Sequence, residues 1–443
     1  MMVRYTHMNE SSPELFETPV TLEAEAVDPI REAARELEPQ MREWYADFHT
    51  DPELGGEEFR TAEQIKHFLE EEEIEVLGEG IGGTGIVAVV RGTNHDTTVA
   101  LRADMDALPI QEIDTHAIRS QTPGVMHACG HDAHTAGLMG GAKILQSLAK
   151  EGNLTGDVLL LFQPSEEKSH QKESGAVKMV RYLEQHKLRD NIDAFLGLHV
   201  YREKERGVVL LKDGVQSASS GEVDITLKAP SGHIKNAYDQ PNLHMIFSEV
   251  TTRLSELFRP LAENNEALVA SARTTYQGTA YNVLPTEAES TWVVRIASPL
   301  YKDISQDIVH KMQEIVQEVV EKQKGSEKIE VTLQRRPGYR PIIHRDPQVI
   351  ARASDAARAV IPGCEISEEM TLGGEDFSFY LEELRGKEIP GAFLMVGAAN
   401  TEEGIPRGPH HTPDFEIDQS VLVDLAALHV SFALRTLNNK ESH

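Results

Sequence analysis

MHACGHDAH, residues 126–134, lies between a short apolar run and a segment rich in small residues, and the rest of the chain is read outward from it. Cys129 and His131 stand two positions apart. A thiolate and a neutral imidazole at that spacing can turn toward one cation, since both suit zinc and related transition metals. Taken alone, the pair is equally what a buried cysteine beside a hydrogen-bonded histidine would look like. The residues that follow, DAHTAGLMGGAKILQSL, predict a helix with Asp132 as candidate N-cap. Its Ala136, Gly137, Gly140 and Gly141 permit close backbone approach, expected here against a sheet. Residues 157–162 (DVLLLF) and 193–200 (DAFLGLHV) are nearly continuous apolar runs, as in strands covered on both faces. Strands alternating with helices predict an α/β architecture with a parallel or mixed sheet, whose functional residues collect where strands end.

Upstream, apolar positions at Ile30, Ala34, Leu37, Met41, Trp44 and Tyr45 predict one helix, stopped at Asp51-Pro52. A second helix runs from Arg60 to about Glu72, and short β-rich runs cover 86–90 and 98–101. After about Val215 the pattern changes. Strand 221–229, helix 242–257, strands 268–276 and 288–296, helix 301–324 and strand 329–334 give the ferredoxin-like order βαββαβ. From about Ile342 the α/β pattern resumes, with helix 349–360, strand 392–397 and a final helix over 419–437. The expected organisation is therefore an N-terminal arm (1–29), a first catalytic part (30–215), an inserted lid and dimerisation domain (216–336) and a second catalytic part (337–443).

A chain of 443 residues exceeds the usual size of one core. Its 43 basic and 72 acidic residues leave a net charge of −29, which opposes nucleic acid and anionic membrane as partners. Two cysteines, Cys129 and Cys364, are too few for a disulfide framework and fit a reducing cytoplasm. The opening residues MMVRYTHMNESSPELFE lack the apolar run of a signal peptide, and no stretch approaches the roughly 20 apolar residues of a membrane span. A cytoplasmic protein is expected.

Three further segments compete for a cation. FQPSEE places Glu166 and Glu167 beyond a buried strand, GLHV places His199 near the tip of the next, and PHHTPDF offers His410 and His411. Singly these read as well as a solvated acidic pair, a core histidine and a surface histidine pair. Their joint occurrence at the ends of α/β elements points to one crevice. Five ligands exceed the need of one tetrahedral zinc, whereas two bridged cations would use them all. If Glu167 is a ligand, Glu166 is placed to act as general base and then general acid.

RADMDALP, GVMHACGHDAH, FQPSEE, GLHV, NVLP, GGEDF and the final His-x-Pro-x-Phe resemble the aminoacylase, hippurate hydrolase and indole-3-acetyl-amino-acid hydrolase family of dinuclear metallo-amidohydrolases. The resemblance runs in order from HTDPEL to the last helix. It implies a mixed-sheet, metallo-aminopeptidase-like catalytic domain of α/β class with an inserted ferredoxin-like lid. It further implies Cys129, His131, Glu167, His199 and His411 as ligands of two divalent metal ions, zinc or manganese, with cobalt or nickel as alternatives. Glu166 becomes the catalytic base and Asp106 the acid that orients a ligand. His411 is chosen over His410 because the family ligand directly precedes the residue before proline. In the lid, His233 matches an oxyanion-stabilising histidine often donated across a dimer. Asn282 and Arg295 match substrate-facing positions, Arg295 suited to a carboxylate, and Gly374 of GGEDF brings backbone close to substrate. His127 and His134 stay outside the ligand set.

The implied reaction is hydrolysis of a small N-acyl amino acid by a homodimer or higher homo-oligomer. A dipeptidase or carboxypeptidase, a catalytically silent binding homologue and a hydrolase with Cys129 as nucleophile are the rival readings. The chain departs from the family pattern after His233, where Ala237 and Tyr238 replace a Pro-His pair, and after Glu167, where a longer polar loop, KSHQKESGA, follows.

Overall fold

The computed structural model describes residues 27–168, 174–264, 266–277, 280–382 and 388–438; nearly all of the expected N-terminal arm, and most of the polar loop after Glu167, lie outside them. The buried apolar runs form an eight-stranded mixed sheet, in the spatial order Glu75–Ile81, Gly85–Val90, Asp157–Gln163, Thr98–Asp104, Ile192–Glu205, Gly391–Ala399, Val208–Leu210 and Glu365–Ser367. Successive side chains of a strand point to opposite faces, so a run such as DVLLLF feeds two cores. Val158, Leu160 and Phe162 join one, and Leu159 and Leu161 the other. The first core is covered by helices Val27–Glu36, Glu38–Thr50, His131–Lys150, Pro347–Val360 and Val421–Leu437, the second by helix Gly175–Gln185 with Phe377 and Tyr380.

Several expectations are corrected. The helix expected over residues 30–45 is two, Val27–Glu36 and Glu38–Thr50, with Pro39 in the first turn of the second. Proline has no N–H to continue a helix and is accommodated where one starts. Asp132 is not the N-cap of the long helix. Gly130 occupies that position at φ 90°, where a Cβ would collide with Val200, and Asp132 is the second residue of the helix. The helix does pack on the sheet, but its glycines are used elsewhere. A Cβ on Gly137 would stand 2.8 Å from Leu425 Cβ, and one on Gly140 would strike Met41 Sδ, so the close approach is to two other helices. Strand Glu75–Ile81 and helix Gly175–Gln185 carried no sequence expectation.

Residues between the two catalytic parts form a four-stranded antiparallel sheet, ordered Ala267–Gln277, Glu287–Ile296, Ser219–Lys228, Glu330–Pro337. Helices Leu243–Glu263 and Tyr301–Glu321 cover it, and Val223, Ile225, Phe247, Leu254, Trp292 and Val316 close a core separate from the other two. Two crossings join this unit to the large sheet, and they run side by side, Gly214–Val215 pairing with Ile343–His344.

Candidate metal centre

The centre is assembled at the carboxyl ends of three parallel strands. Gly130 turns the chain so that Cys129 and His131, the first residue of its helix, face the same side. His199 donates Nδ1–H to the Val200 carbonyl at 2.6 Å, which leaves Nε2 3.4 Å from Cys129 Sγ. It is not at a strand tip, as expected, but inside strand Ile192–Glu205. Pairing with Thr98–Asp104 ends at Gly197, so His199 stands on the edge that the shorter neighbour leaves open.

After strand Asp157–Gln163, Pro164 and Ser165, the latter at φ 53°, reverse the chain. The amides of Glu166 and Glu167 then both donate to the Asp106 carboxylate, each at 3.0 Å. The other face of Asp106 meets His131 Nδ1 at 3.3 Å. His411, at φ 60°, donates its amide to the Ala128 carbonyl and brings Nε2 to 2.9 Å from Glu167 Oε1. Of five ligand-type trios among the described residues, three are built from the expected ligands and base: Cys129 with His131 and His199, Cys129 with Glu167 and His411, and His131 with Glu166 and Glu167. In each, the ligand-type atoms lie within 4.8 Å of one another. His410 belongs to none of the trios: it stacks on Tyr201 and accepts the Arg202 amide at Nε2, while its Nδ1 lies 3.8 Å from Cys129 Sγ.

The trios overlap at Cys129, His131 and Glu167, the pattern two neighbouring cations would need. Two observations of this cluster fit divalent cations. His131 Nε2 is buried without a hydrogen-bond partner among the described residues, and negative groups crowd the cavity. Burial, then the charges of Glu375 and Glu167, push the Glu166 carboxyl well above the usual range. Burial, then the charges of Glu167 and Glu166, raise the Cys129 thiol. Burial opposes a charge on His131, yet the Asp104 carboxylate and the Asp106 contact lift it to about 10. Cations placed here would reverse those preferences, favouring thiolate and neutral imidazole.

A buried network that the sequence did not announce supports the centre. Arg102, fully enclosed, donates to Asp104 (2.7 Å), Glu375 (3.0 Å), Asp376 (2.9 Å) and Gln163 (2.9 Å). Asp104 in turn holds His134 Nδ1 at 2.5 Å, and His134 Nε2 accepts the Val200 amide at 2.8 Å, which settles the strand that carries His199. His134 is thus the satisfied helix histidine expected. His127 is buried and its ring nitrogens have no hydrogen-bond partner among the described residues. Glu58 accepts the Ser165 amide and the Thr84 hydroxyl beneath the glutamate turn. On the far side His49 sits between Asp132 (2.6 Å) and Glu112 (3.2 Å). The available signal was charged residues in otherwise apolar strands, as in TVALRAD, and the acidic pair of GGEDF.

Arg295 reaches this region from the four-stranded unit. A Cβ on Gly374 would collide with its Nη1, and its environment includes the Glu166 and Glu167 charges. His233 and Asn282 are not brought to the centre. They stand at the short two-stranded ladder in which His233 pairs with Val283; His233 is exposed, and its ring accepts only the Lys235 amide among the described residues.

Cysteine, histidine and glutamate donors with room for two cations, above the ends of a mixed sheet, define a metal-dependent hydrolase. The sequence profile described as Peptidase family M20/M25/M40 matches residues 100–435, and the chain belongs to that family. It is 30% identical over 376 residues to an N-acetylcysteine deacetylase of Bacillus subtilis, covering 85% of this chain and 91% of that one. It is 32% identical over 395 residues to an IAA-amino acid hydrolase (ILR1-like 4) of Arabidopsis thaliana, covering 88% and 84%. A solved Bacillus subtilis structure, described as a dinuclear metal binding peptidase from the M20 family, superposes with TM-score 0.71 at 27% identity, over 91% of this chain and 99% of that one.

Proposed function

We propose that this protein hydrolyses the amide bond of small N-acyl amino acids, releasing a carboxylic acid and an amino acid. The observation that carries the reading is the trio of His131, Glu166 and Glu167: a carboxyl that burial keeps ready to hold a proton stands beside groups suited to a cation. The names of the two relatives, a deacetylase of N-acetylcysteine and a hydrolase of an amino-acid conjugate, agree with it.

In this reading Cys129, His131, Glu167, His199 and His411 hold two divalent cations, zinc or manganese, and Asp106 orients His131 and the glutamate turn. The cations would supply Lewis acidity toward the scissile carbonyl and ease deprotonation of water. Glu166 accepts the proton of the attacking water at its carboxylate and delivers it to the amide nitrogen as the C–N bond breaks. Arg295 binds the substrate carboxylate, the backbone at Gly374 lies against the bound substrate, and Asn282 faces it from the lid. Residues 216–336 serve as lid and dimerisation domain, and His233 stabilises the oxyanion from a second copy in a cytoplasmic homodimer.

Released amino acid is the readout. Acetyl- and benzoyl-amino acids should be turned over in preference to unblocked dipeptides. Glu166→Gln should lose about 10²–10⁴-fold in kcat with its metal content intact. Wild-type turnover in Glu166→Gln, or full activity after verified metal removal, would refute the reading.

A further inference from the structure

The two crossings between the large sheet and the four-stranded unit are knitted into one ribbon. Gln216 donates its amide to Ile342 O (3.0 Å), Ser220 to Tyr339 O (2.9 Å) and Gly338 to Ser220 O (3.1 Å), while Tyr339 N–H donates to Ser220 Oγ at 2.8 Å. Tyr339 lies two residues beyond the end of strand Glu330–Pro337, in one of the two crossings that join that unit to the large sheet. Its ring is 5% exposed and packs edge-on against Phe379, 6.4 Å between centroids. The hydroxyl points out of the ribbon and donates to the backbone carbonyl of Glu166. Burial, with the Glu166 charge behind it, keeps this phenol protonated and therefore a donor.

The Glu166 peptide is thereby held from two bodies. Its amide and that of Glu167 are fixed by Asp106, which belongs to the large sheet; its carbonyl is fixed by Tyr339, which belongs to the ribbon. Arg295 stands beside the ribbon, on strand Glu287–Ile296, as the register partner of Ser220, and a Cβ on Gly374 would press on both. The side chain suited to a substrate carboxylate and the strut on the Glu166 carbonyl thus both border Ser220.

We propose that Tyr339 is a positioning residue for Glu166, coupling the place of the hinge ribbon, and so of the lid, to the place of the catalytic carboxylate. The proposal rests on Glu166 acting as the proton carrier. Tyr339→Phe removes the hydroxyl and keeps the ring on Phe379. In metal-loaded enzyme, with the better of hippurate and N-acetyl-L-methionine as probe, kcat should fall about tenfold or more, the loss of one hydrogen bond expressed at the transition state. KM should stay within about threefold, because nothing that contacts substrate is altered. Unfolding midpoint and bound metal per chain should match wild type. Ser220→Ala, which loosens the ribbon without touching the hydroxyl, should give a smaller loss confined to kcat. The double variant should be no worse than Tyr339→Phe alone, since both act along one path. Wild-type kcat in Tyr339→Phe, a loss matched by lower metal content or midpoint, or simple additivity with Ser220→Ala overturns the proposal. Glu166→Gln assayed in parallel separates the two ideas: if it is inactive while Tyr339→Phe is unimpaired, only the strut falls, and if it is active, the base reading falls and takes the strut with it.

Discussion

Asp106 shows how one side chain can organise a centre it does not belong to. Its two oxygens accept the amides of Glu166 and Glu167 and meet His131 Nδ1, so it sets both a turn and a ring. Asp106→Asn keeps the size but replaces one acceptor by a donor facing an amide. Metal affinity should fall about 10–100-fold, the usual cost of losing an orienting partner, read by titrating zinc or manganese back into chelated protein. Cys129, His131, Glu166 and Glu167 were visible because short motifs put chemically unusual side chains together. Arg102 and Asp104 were not. A charged residue is ordinarily solvated, and here its enclosure depends on Glu375 and Asp376, some 270 positions away. His411 was preferred to His410 from the resemblance, and the turn at φ 60° shows how its ring is aimed at Glu167.

Among the secondary-structure elements, helix His131–Lys150 matters most, since its first residue is a candidate ligand. Its seat is fixed by close contact with helix Val421–Leu437 through Gly137 and with helix Glu38–Thr50 through Gly140. Gly137→Ala gains up to about 1 kcal/mol of helix propensity but forces a Cβ to within 2.8 Å of Leu425 Cβ, which neither backbone can yield cheaply. A net loss of about 1–2 kcal/mol is expected in denaturant unfolding, with weaker metal binding following it. A second test concerns the ribbon. His344 donates Nδ1–H to Lys212 O and accepts the Phe393 amide at Nε2, and burial lowers its pKa to about 4. Above pH ~6.5 both folded and unfolded chains hold it neutral. As pH falls from there toward 4 the unfolded chain takes up a proton that the fold refuses, so stability is lost across that window. His344→Asn should flatten the decline between pH 7 and 4.5 by about 2–3 kcal/mol, measured as the difference in unfolding free energy at the two pH values.

At the scale of the whole molecule, the proposed role of His233 requires that it reach the centre from outside its own chain's fold, where it stands away from the candidate ligands. His233 itself is exposed, as are Ile234, Tyr238 and Tyr281 nearby, and a second copy is the proposed source of the missing contact. Subunit mixing tests this. Glu166→Gln and His233→Ala should each be inactive alone, yet a re-equilibrated mixture should recover about a quarter of wild-type activity, because half the dimers carry one intact composite site of two. No recovery would place His233 in its own chain's site or outside catalysis. No helix among the described residues is long and apolar enough to cross a membrane.

Local chemistry was enough to determine the α/β class and the βαββαβ order of the four-stranded unit, and to mark MHACGHDAH as a stretch with metal-ligand-type donors. Period, apolar run length and the donor properties of sulfur, nitrogen and oxygen are carried by neighbouring residues. Tertiary structure alone decided that His199 stands inside a strand, that Arg102 and its three acids are sealed beneath the centre, that the glycines of the long helix seat it on other helices, and that Tyr339 reaches the Glu166 carbonyl. Each of these depends on burial or contact between distant segments, and burial is a property of the packed chain that no local spacing encodes.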